Sequence, residues 1–245
     1  MIVQGFWHGG LGTMERMCIE SYVRNGHKFH LYLYGYDLPC YVPGMLEFRD
    51  AEEILPQSKL SLFPSPSIFS DFFRYALLMK NGGWWVDMDT ICLRPFNFDG
   101  EYVFAQDNID HYYVSGCFMK APQNAPIMVE AYNWINDMTA EDRAKLGHMD
   151  IGPYLLQRLV PKYHLETHAQ WPIVFDPIPW NKITGIVDPN QKFDLSMSWA
   201  IHLRQSIWNE GVNSSAGILP DGSKLMIDKK YPDGCLWEQL KKELL

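Results

Sequence analysis

Residues 69–89 read FSDFFRYALLMKNGGWWVDMD, and this stretch passes from a helix pattern to a strand pattern without a long connection. Ser70 is a favourable N-cap residue, and Asp71 suits the positive end of a helix dipole. The Gly-Gly pair at residues 82–83 predicts the end of that helix. Aromatic and β-branched residues then predict a strand over residues 84–89. The stretch therefore indicates a helix-to-strand unit of an α/β protein.

The N-terminal residues show the same alternation of elements. Residues 2–7 predict a buried strand that ends in a glycine-rich turn. Thr13 is suited to cap a helix that runs to about Asn25, and residues 30–34 form a second run rich in β-formers. A strand, a helix and a strand in this order predict an α/β domain with parallel strands.

The remaining elements are less sharply defined by the sequence. They are a Pro- and Ser-rich loop over residues 55–70, strands over 102–105 and 113–119, a helix over 126–138, a helix over 149–159, an extended segment over 171–180 and a short amphipathic helix over 237–245.

Size and composition favour one domain with a substantial core. The chain has 245 residues, of which 47% are apolar and 14% aromatic, so a disordered chain is excluded. Asp and Glu number 29 against 21 Lys and Arg, which gives a net charge of −8. Because the basic residues are scattered and the net charge repels phosphate backbones, we expect no nucleic-acid partner.

The cysteines and the apolar runs bear on location. Cys18, Cys40, Cys92, Cys117 and Cys235 are odd in number and widely spaced, without a zinc-type cluster, which favours a reducing compartment. The sequence shows neither a signal-peptide pattern nor an apolar run near the roughly 18 residues of a membrane helix. We therefore expect a cytoplasmic protein that meets a membrane only peripherally.

Two carboxylates follow the predicted strand. Side chains alternate between faces in a strand, so Asp87 and Asp89 are expected to point the same way at the carboxyl end of the sheet, where open α/β sheets bind ligands. Such oxygen ligands suit Mn²⁺ or Mg²⁺ together with a nucleotide diphosphate. The alternative is that this Asp-x-Asp only ends a strand at the surface. Asp71 and Arg74, three residues apart on a helix, could likewise form only a local ion pair.

The ordered pattern over residues 69–89 resembles the signature of the DXD sugar transferases of glycosyltransferase family 32 and, more distantly, the clostridial-type glucosylating toxins. The shared features are Ser-Asp, an Arg three residues later, Asn-Gly-Gly, an aromatic residue and Asp-x-Asp. Residues 6–10 are similar to the first-strand motif of these families, and residues 198–208 to their C-terminal His and Ser-x-Trp elements.

The resemblance implies a single GT-A type α/β domain over residues 1–245, with a Rossmann-like, mostly parallel central sheet flanked by helices. It implies a nucleotide-sugar-binding half over residues 1–100. Residues 101–245 would form an acceptor-side half with a C-terminal closing loop.

Site residues follow from the same resemblance. The implied donor-binding residues are Trp7, Ser70, Asp71, Arg74, Trp85, Asp87, Ser206 and Trp208. Asp89, Asp87 and His202 are the implied ligands of Mn²⁺ or Mg²⁺, and Asp87, Asp89 and Arg74 the implied catalytic residues. Trp85 replaces the usual Tyr of the family. For Trp7, His202 and Trp208, structural packing is the alternative interpretation.

The resemblance implies retaining transfer of a hexose from a UDP-sugar to a glycan, glycolipid or polysaccharide-precursor acceptor. Gln106, Asp107, Asn108 and Asp150 are candidates for groups near the anomeric carbon, or are ordinary surface residues. A toxin-like protein glycosyltransferase is the near alternative. A metal-dependent phosphohydrolase and a non-catalytic nucleotide-sugar binder are the alternatives of another class.

Overall fold

A mixed sheet of seven strands forms the centre of the fold. The computed structural model describes residues 1–35, 45–107, 113–208 and 215–245. The nine strands in these ranges are β1 (Ile2–Phe6), β2 (Lys28–Leu33), β3 (Leu46–Asp50), β4 (Gly83–Val86), β5 (Thr90–Cys92), β6 (Val103–Gln106), β7 (Val114–Ala121), β8 (Ala169–Gln170) and β9 (Ala200–His202). The central sheet has the order β3-β2-β1-β4-β7-β6-β8, and β5 pairs with β9 in a separate sheet.

Most neighbouring strands of the central sheet are parallel. Strand β7 is the exception, because it runs antiparallel to both β4 and β6. The helices that flank the sheet are α1 (Thr13–Arg24), α2 (Pro66–Asn81), α3 (Pro126–Asn136), α4 (Ala140–Ala144), α5 (Pro153–Lys162), α6 (Pro172–Phe175) and α7 (Leu236–Leu244). The prediction of a mostly parallel α/β sheet flanked by helices is confirmed.

Both faces of the central sheet are covered, and β4 shows the consequence. Trp84 and Trp85 are adjacent, so their side chains point to opposite faces. Trp85 packs in the cluster that includes α2, α3 and α5, whereas Trp84 packs in the cluster that includes α1. Both indoles are buried. A strand buried on both faces explains why the sequence here is continuously apolar instead of alternating.

The start of α2 differs from the prediction. The helix begins at Pro66, and the hydroxyl of Ser65 accepts the backbone N–H of Ile68 at 3.2 Å. Ser65 is thus the N-cap and the proline occupies the first turn, where its missing N–H costs nothing. Ser70, the predicted N-cap, lies one turn inside the helix, so the last residues of the predicted 55–70 loop are helical.

Two glycines end α2 as predicted. Gly82 has a positive φ of 64°, and a Cβ there would lie 2.4 Å from the backbone N of Gln123. Gly83 also has a positive φ, of 86°. The positive φ favours glycine at both positions, and at Gly82 the close approach of the neighbouring chain also leaves no room for a side chain.

The strand that follows is shorter than predicted. Strand β4 ends at Val86, and residues 88–89 form a turn before β5 begins at Thr90. The hydroxyl of Thr90 donates to the carbonyl of Asp87 at 2.7 Å and closes this turn. The alternation of a strand therefore does not explain the placement of Asp87 and Asp89; the turn does.

Other segments add smaller corrections. Helix α1 has Gly12, not Thr13, at its N-cap, and the carboxylate of Glu15 accepts the N–H of Gly12. The 171–180 segment contains the short helix α6 instead of being extended throughout.

The described cysteines, Cys18, Cys92, Cys117 and Cys235, are buried and unpaired, and Cys40 lies outside the described residues. In the described ranges, every helix is too short or too polar to cross a bilayer.

The side chain of His27 makes a pH-dependent contribution to the stability of the fold. Its imidazole is buried, Nε2 accepts the backbone N–H of Phe96 at 3.0 Å, and burial lowers its pKa to about 4. Because the unfolded pKa is about 6.5, this group stabilises the fold above pH 6.5, and that stabilisation is lost as the pH falls toward 4.

We expect His27→Gln to flatten the pH dependence of the free energy of unfolding between pH 6.5 and 4, by up to about 1.4 kcal/mol per pH unit. Urea titrations at several pH values measure this slope. The control is His148→Gln at an exposed position, which should keep the slope of the wild type. Equal slopes for His27→Gln and the wild type would contradict the assignment.

Candidate active site

A cavity of about 640 Å³ opens at the carboxyl ends of β1, β4 and β6. Its volume lies in the range that binds small ligands. Most of the residues that the sequence singled out line it, namely Trp7, Ser70, Asp71, Arg74, Trp85, Asp87, Asp89, His202 and Ser206. Open α/β sheets bind ligands at this edge. The sequence therefore identified the wall of one cavity from segments almost 200 residues apart.

Asp87, Asp89 and His202 converge in this cavity. One potential ligand atom from each of the three side chains lies within 4.8 Å of the other two. His202 reaches this point because β9 pairs with β5 in a register that places it opposite Thr90. The Nε2 atom of His202 lies 3.4 Å from Oδ2 of Asp89. All three side chains are mostly buried, so their charges interact strongly.

Two donors fix the carboxylate of Asp87. Nη2 of Arg74 donates to Oδ1 at 3.0 Å, and the indole N–H of Trp85 donates to the same oxygen at 2.7 Å. Burial raises the pKa of Asp87, and the charge of Arg74 opposes that rise. The other oxygen, Oδ2, accepts neither of these two hydrogen bonds.

Asp89 and His202 stabilise each other's charge. The backbone N–H of Gln205 donates to Oδ2 of Asp89 at 2.8 Å. Although burial opposes it, the pKa of Asp89 is lowered because of His202 and this N–H. Burial also disfavours the charged imidazole, yet the pKa of His202 is raised because Cys117, Asp89 and Asp176 surround it. The two acids of the pair therefore differ in pKa, as expected of close carboxylates in unlike surroundings.

Arg74 is held between two acids. Besides Asp87, it contacts Asp71, with Nη1 2.9 Å from Oδ1, so the local ion pair expected from helix spacing is present. Both side chains also line the cavity. Burial raises the pKa of Asp71 to about 7, against the effect of Arg74. A buried ion pair is costly to desolvate, and such pairs often mark functional sites.

Glycines on neighbouring segments make room for this ion pair. A Cβ at Gly116, in β7, would lie 1.8 Å from Nη1 of Arg74, and a Cβ at Gly152 would lie 3.0 Å from Oδ2 of Asp71. The absence of side chains at these two positions lets the guanidinium and the carboxylate reach the cavity wall.

The walls of the cavity carry the other predicted residues. Trp7 is partly exposed, and its indole N–H donates to the carbonyl of Gly10 at 3.0 Å. Ser70 and Ser206 lie at the cavity surface. Trp85 is only 1% exposed, and its N–H is occupied by Asp87. Trp85 thus acts on the site through that carboxylate.

Trp208 is not brought into the cavity. It is 2% exposed, its ring lies 4.4 Å from that of Trp237, and its N–H donates to the carbonyl of Leu203 at 2.8 Å. A bulky apolar indole with a satisfied N–H is stable in this core. Packing, the alternative interpretation of Trp208, describes its position in this structure.

Of the three described candidate residues for groups near the anomeric carbon, one lines the cavity. Asp107 lines the cavity and forms an ion pair with Arg204. Gln106 and Asp150 do not line it, and the carboxylate of Asp150 accepts the N–H of Gly147 instead. Asn108 lies outside the described residues.

Sequence reasoning missed Arg204 and Asp176. Arg204 lines the cavity, and its guanidinium contacts the carboxylates of both Asp107 and Asp176. Its backbone is left-handed, with φ 57° and ψ 60°, which is uncommon for a non-glycine residue and typical of functional sites. The position two residues after His202 was the available signal for Arg204. No local pattern connects Asp176 with the site.

The donor set fits a hard divalent cation. Two carboxylates and one imidazole converge in a buried site where like charges would otherwise repel one another. Mn²⁺ accepts oxygen and imidazole ligands, and Mg²⁺ commonly uses one or two carboxylates together with phosphate and water. The identity of the metal does not follow from these three side chains.

Comparisons with known proteins agree with this geometry. Residues 40–111 match the family described as a glycosyltransferase sugar-binding region containing a DXD motif. No curated protein matches the chain.

Among solved structures, the galactosyltransferase LgtC in complex with donor and acceptor sugar analogues aligns with a TM-score of 0.54 and 10% identity, over 100% of this chain and 96% of that chain. The glycosyltransferase GlyE of Streptococcus pneumoniae TIGR4 aligns with a TM-score of 0.53 and 14% identity, over 99% of this chain and 62% of that chain. The PaToxG glycosyltransferase aligns with a TM-score of 0.50 and 14% identity, over 66% of this chain and 68% of that chain.

The fold is therefore of the GT-A type, and the chain is an enzyme of the glycosyltransferase class. Within that class, its resemblance to the DXD sugar transferases is confirmed by the matched region, which contains Asp71, Arg74, Asp87 and Asp89.

The close contact at Gly116 gives a test of the Arg74 geometry. A methyl group at residue 116 would displace the guanidinium from Asp71 and Asp87. Since a displacement of about 1 Å in an active site can cost on the order of 100-fold in rate, we expect Gly116→Ala to reduce glycosyl transfer by about that factor. Initial rates of nucleotide release from a nucleotide sugar measure it.

The matched control is Gly147→Ala. There the nearest atom to the added methyl is an exposed carboxylate oxygen of Asp150, 3.3 Å away and able to rotate. Both variants should fold, as judged by circular dichroism. A Gly116→Ala enzyme with the rate of the control would show that the position of Arg74 does not matter for transfer.

Proposed function

We propose that this protein is a retaining, metal-dependent glycosyltransferase that moves a hexose from a UDP-sugar to a saccharide, glycolipid or polysaccharide-precursor acceptor. The observation that carries the proposal is the convergence of Asp87, Asp89 and His202 in the same cavity as the Asp71–Arg74 pair. A cation-binding set beside a sugar-hydroxyl-binding set is what a nucleotide-sugar donor requires, because the donor joins a diphosphate to a polyhydroxylated ring.

Asp89, Asp87 and His202 would hold the divalent cation, Mn²⁺ or Mg²⁺. When bound, the cation would act as a Lewis acid that stabilises the negative charge on the leaving diphosphate. The buried position of the three ligands strengthens that effect, since the surroundings screen charge poorly.

The polypeptide itself binds and orients the donor. Asp71 and Arg74 bind hydroxyls of the donor sugar, and the planar guanidinium suits two parallel hydrogen bonds. Trp7 offers a partly exposed ring for the base, and Ser70 and Ser206 offer hydroxyl groups at the cavity wall. Trp85 keeps Asp87 in place through its 2.7 Å hydrogen bond.

Retention is consistent with a mechanism that depends on positioning. In a front-face reaction, the acceptor hydroxyl attacks from the side on which the diphosphate leaves, and the departing phosphate accepts the hydroxyl proton. Asp107 is the one predicted candidate for the anomeric centre that lines the described cavity. Its ion pair with Arg204 supports an orienting role more than that of a nucleophile.

The two halves of the chain have different roles in the proposed enzyme. Residues 1–100 contribute most of the nucleotide-sugar wall, and residues 101–245 the acceptor side together with a C-terminal closing loop. The unpaired, buried state of the described cysteines supports a cytoplasmic location, with any membrane contact peripheral.

Substitution of Asp89 tests the metal assignment. Asp89→Asn removes a charge from the ligand set without removing core volume, so we expect the fold to persist and Mn²⁺-dependent turnover of UDP-sugars to fall by on the order of 100-fold or more. The control Asp99→Asn makes the same chemical change at an exposed position and should retain the wild-type rate. Normal turnover by Asp89→Asn would defeat the assignment.

Calorimetry separates the transferase from its alternatives. Titration of the wild type with UDP should show binding with Mn²⁺ present and much weaker binding after chelation of the metal. UDP binding without turnover of any donor would favour the non-catalytic nucleotide-sugar binder. Release of phosphate from simple phosphate esters would favour the metal-dependent phosphohydrolase.

Acceptor class is decided by a panel assay. The enzyme is incubated with Mn²⁺, a set of UDP-hexoses and three kinds of acceptor: oligosaccharides, glycolipids and a small GTPase. We expect transfer to a saccharide or glycolipid and none to the protein. Transfer to the GTPase alone would instead support a toxin-like protein glycosyltransferase.

A further inference from the structure

Asp176 lies behind the metal-binding side chains and is not itself part of the described cavity wall. Its side chain is completely buried. One oxygen, Oδ2, lies 3.7 Å from Nδ1 of His202 and also accepts a hydrogen bond from Nη2 of Arg204. A single buried carboxylate thus contacts a candidate metal ligand and the cationic side chain of the cavity.

The two nitrogens of His202 face different carboxylates. Nε2 is 3.4 Å from Oδ2 of Asp89, another residue of the convergent ligand set, whereas Nδ1 is 3.7 Å from Oδ2 of Asp176. Histidines that bind metals usually donate their other ring N–H to a carboxylate or carbonyl, which fixes the tautomer and the ring orientation. His202 resembles this arrangement, with Asp89 of the ligand set beside Nε2 and the buried carboxylate of Asp176 beside Nδ1.

His202 and Asp176 each have one buried polar atom without a hydrogen-bond partner in the described structure. Nδ1 of His202 and Oδ1 of Asp176 are buried and lack a hydrogen-bond partner in the structure. Buried polar atoms are rarely left in that state, because each one costs free energy. The 3.7 Å separation runs from Nδ1 to Oδ2, the other oxygen of the same carboxylate; it is too long for a hydrogen bond, but a movement of less than 1 Å would close it.

The charges nearby leave Asp176 able to accept from His202. Arg204 is shared by two carboxylates, those of Asp107 and Asp176. One guanidinium therefore faces two negative charges, and an additional N–H donor to Asp176 is favourable. The left-handed backbone at Arg204 keeps its side chain on this pair while the next residue, Gln205, donates to Asp89.

We propose that Asp176 is a positioning residue that holds His202 with its proton on Nδ1 and so directs an unprotonated Nε2 to the divalent cation. The proposal rests on the proposed function, since it takes His202 as a metal ligand. It assigns to Asp176 no contact with the donor or with the reacting atoms.

The test is the affinity for Mn²⁺ in the presence of UDP, followed by the electron paramagnetic resonance signal of free Mn²⁺. Loss of an outer partner of a metal ligand typically weakens binding 10- to 100-fold, and for the isosteric Asp176→Asn we expect about tenfold. The control Asp99→Asn makes the same chemical change at an exposed position that does not line the described cavity. We expect it to change the Kd less than about twofold.

A double-mutant cycle shows whether Asp176 acts through His202. In a His202→Ala background, Asp176→Asn should cause no further loss of Mn²⁺ affinity, because the group it positions is gone. A further loss of about tenfold in that background, or no loss in the wild-type background, would overturn the proposal. If the wild type itself does not bind Mn²⁺ with UDP, the proposed function fails and this proposal with it.

A measurement on the wild type covers the case in which Asp176→Asn does not fold. Long-range ¹H–¹⁵N correlation spectra, with Mg²⁺ and UDP present and with His202 assigned from a His202→Gln sample, report which ring nitrogen carries the proton. A proton on Nδ1 supports the positioning role. A proton on Nε2 alone would overturn it.

Discussion

The site depends on one short piece of backbone pairing between distant parts of the chain. Strands β5 and β9 contain three residues each, and their register places Thr90 opposite His202. The backbone continues this contact, because the N–H of Leu203 donates to the carbonyl of Asp89 at 2.8 Å. The side chain of Asp89 then accepts the N–H of Gln205. The segment that follows β9 therefore joins the cavity wall by pairing with the turn that carries the aspartates.

Around the cavity, each of two buried arginines contacts two aspartates. Arg74 contacts Asp71 and Asp87, and on the other side of the ligand set Arg204 contacts Asp107 and Asp176. With Asp89 and His202 included, three basic groups face five acids, so the described site has an excess of acidic groups. That excess favours a bound cation.

The sequence predicted the parts of the site that depend on local pattern. Residues 69–89 gave the helix, its glycine terminus and the aspartates, and the resemblance added His202. The sequence pattern could not predict that the strand ends at Val86, because aromatic and β-branched residues favour a strand without fixing its last residue. Asp176 was missed for a different reason: its role arises from tertiary contacts with His202 and Arg204, which leave no periodic signal in the sequence.

The indole of Trp85 makes the two carboxylate oxygens of Asp87 unequal. An indole N–H can donate a hydrogen bond but cannot accept one. Trp85 and Arg74 both donate to Oδ1 of Asp87. Oδ2 of Asp87 accepts neither of these two hydrogen bonds and would therefore be the freer of the two oxygens to bind a cation.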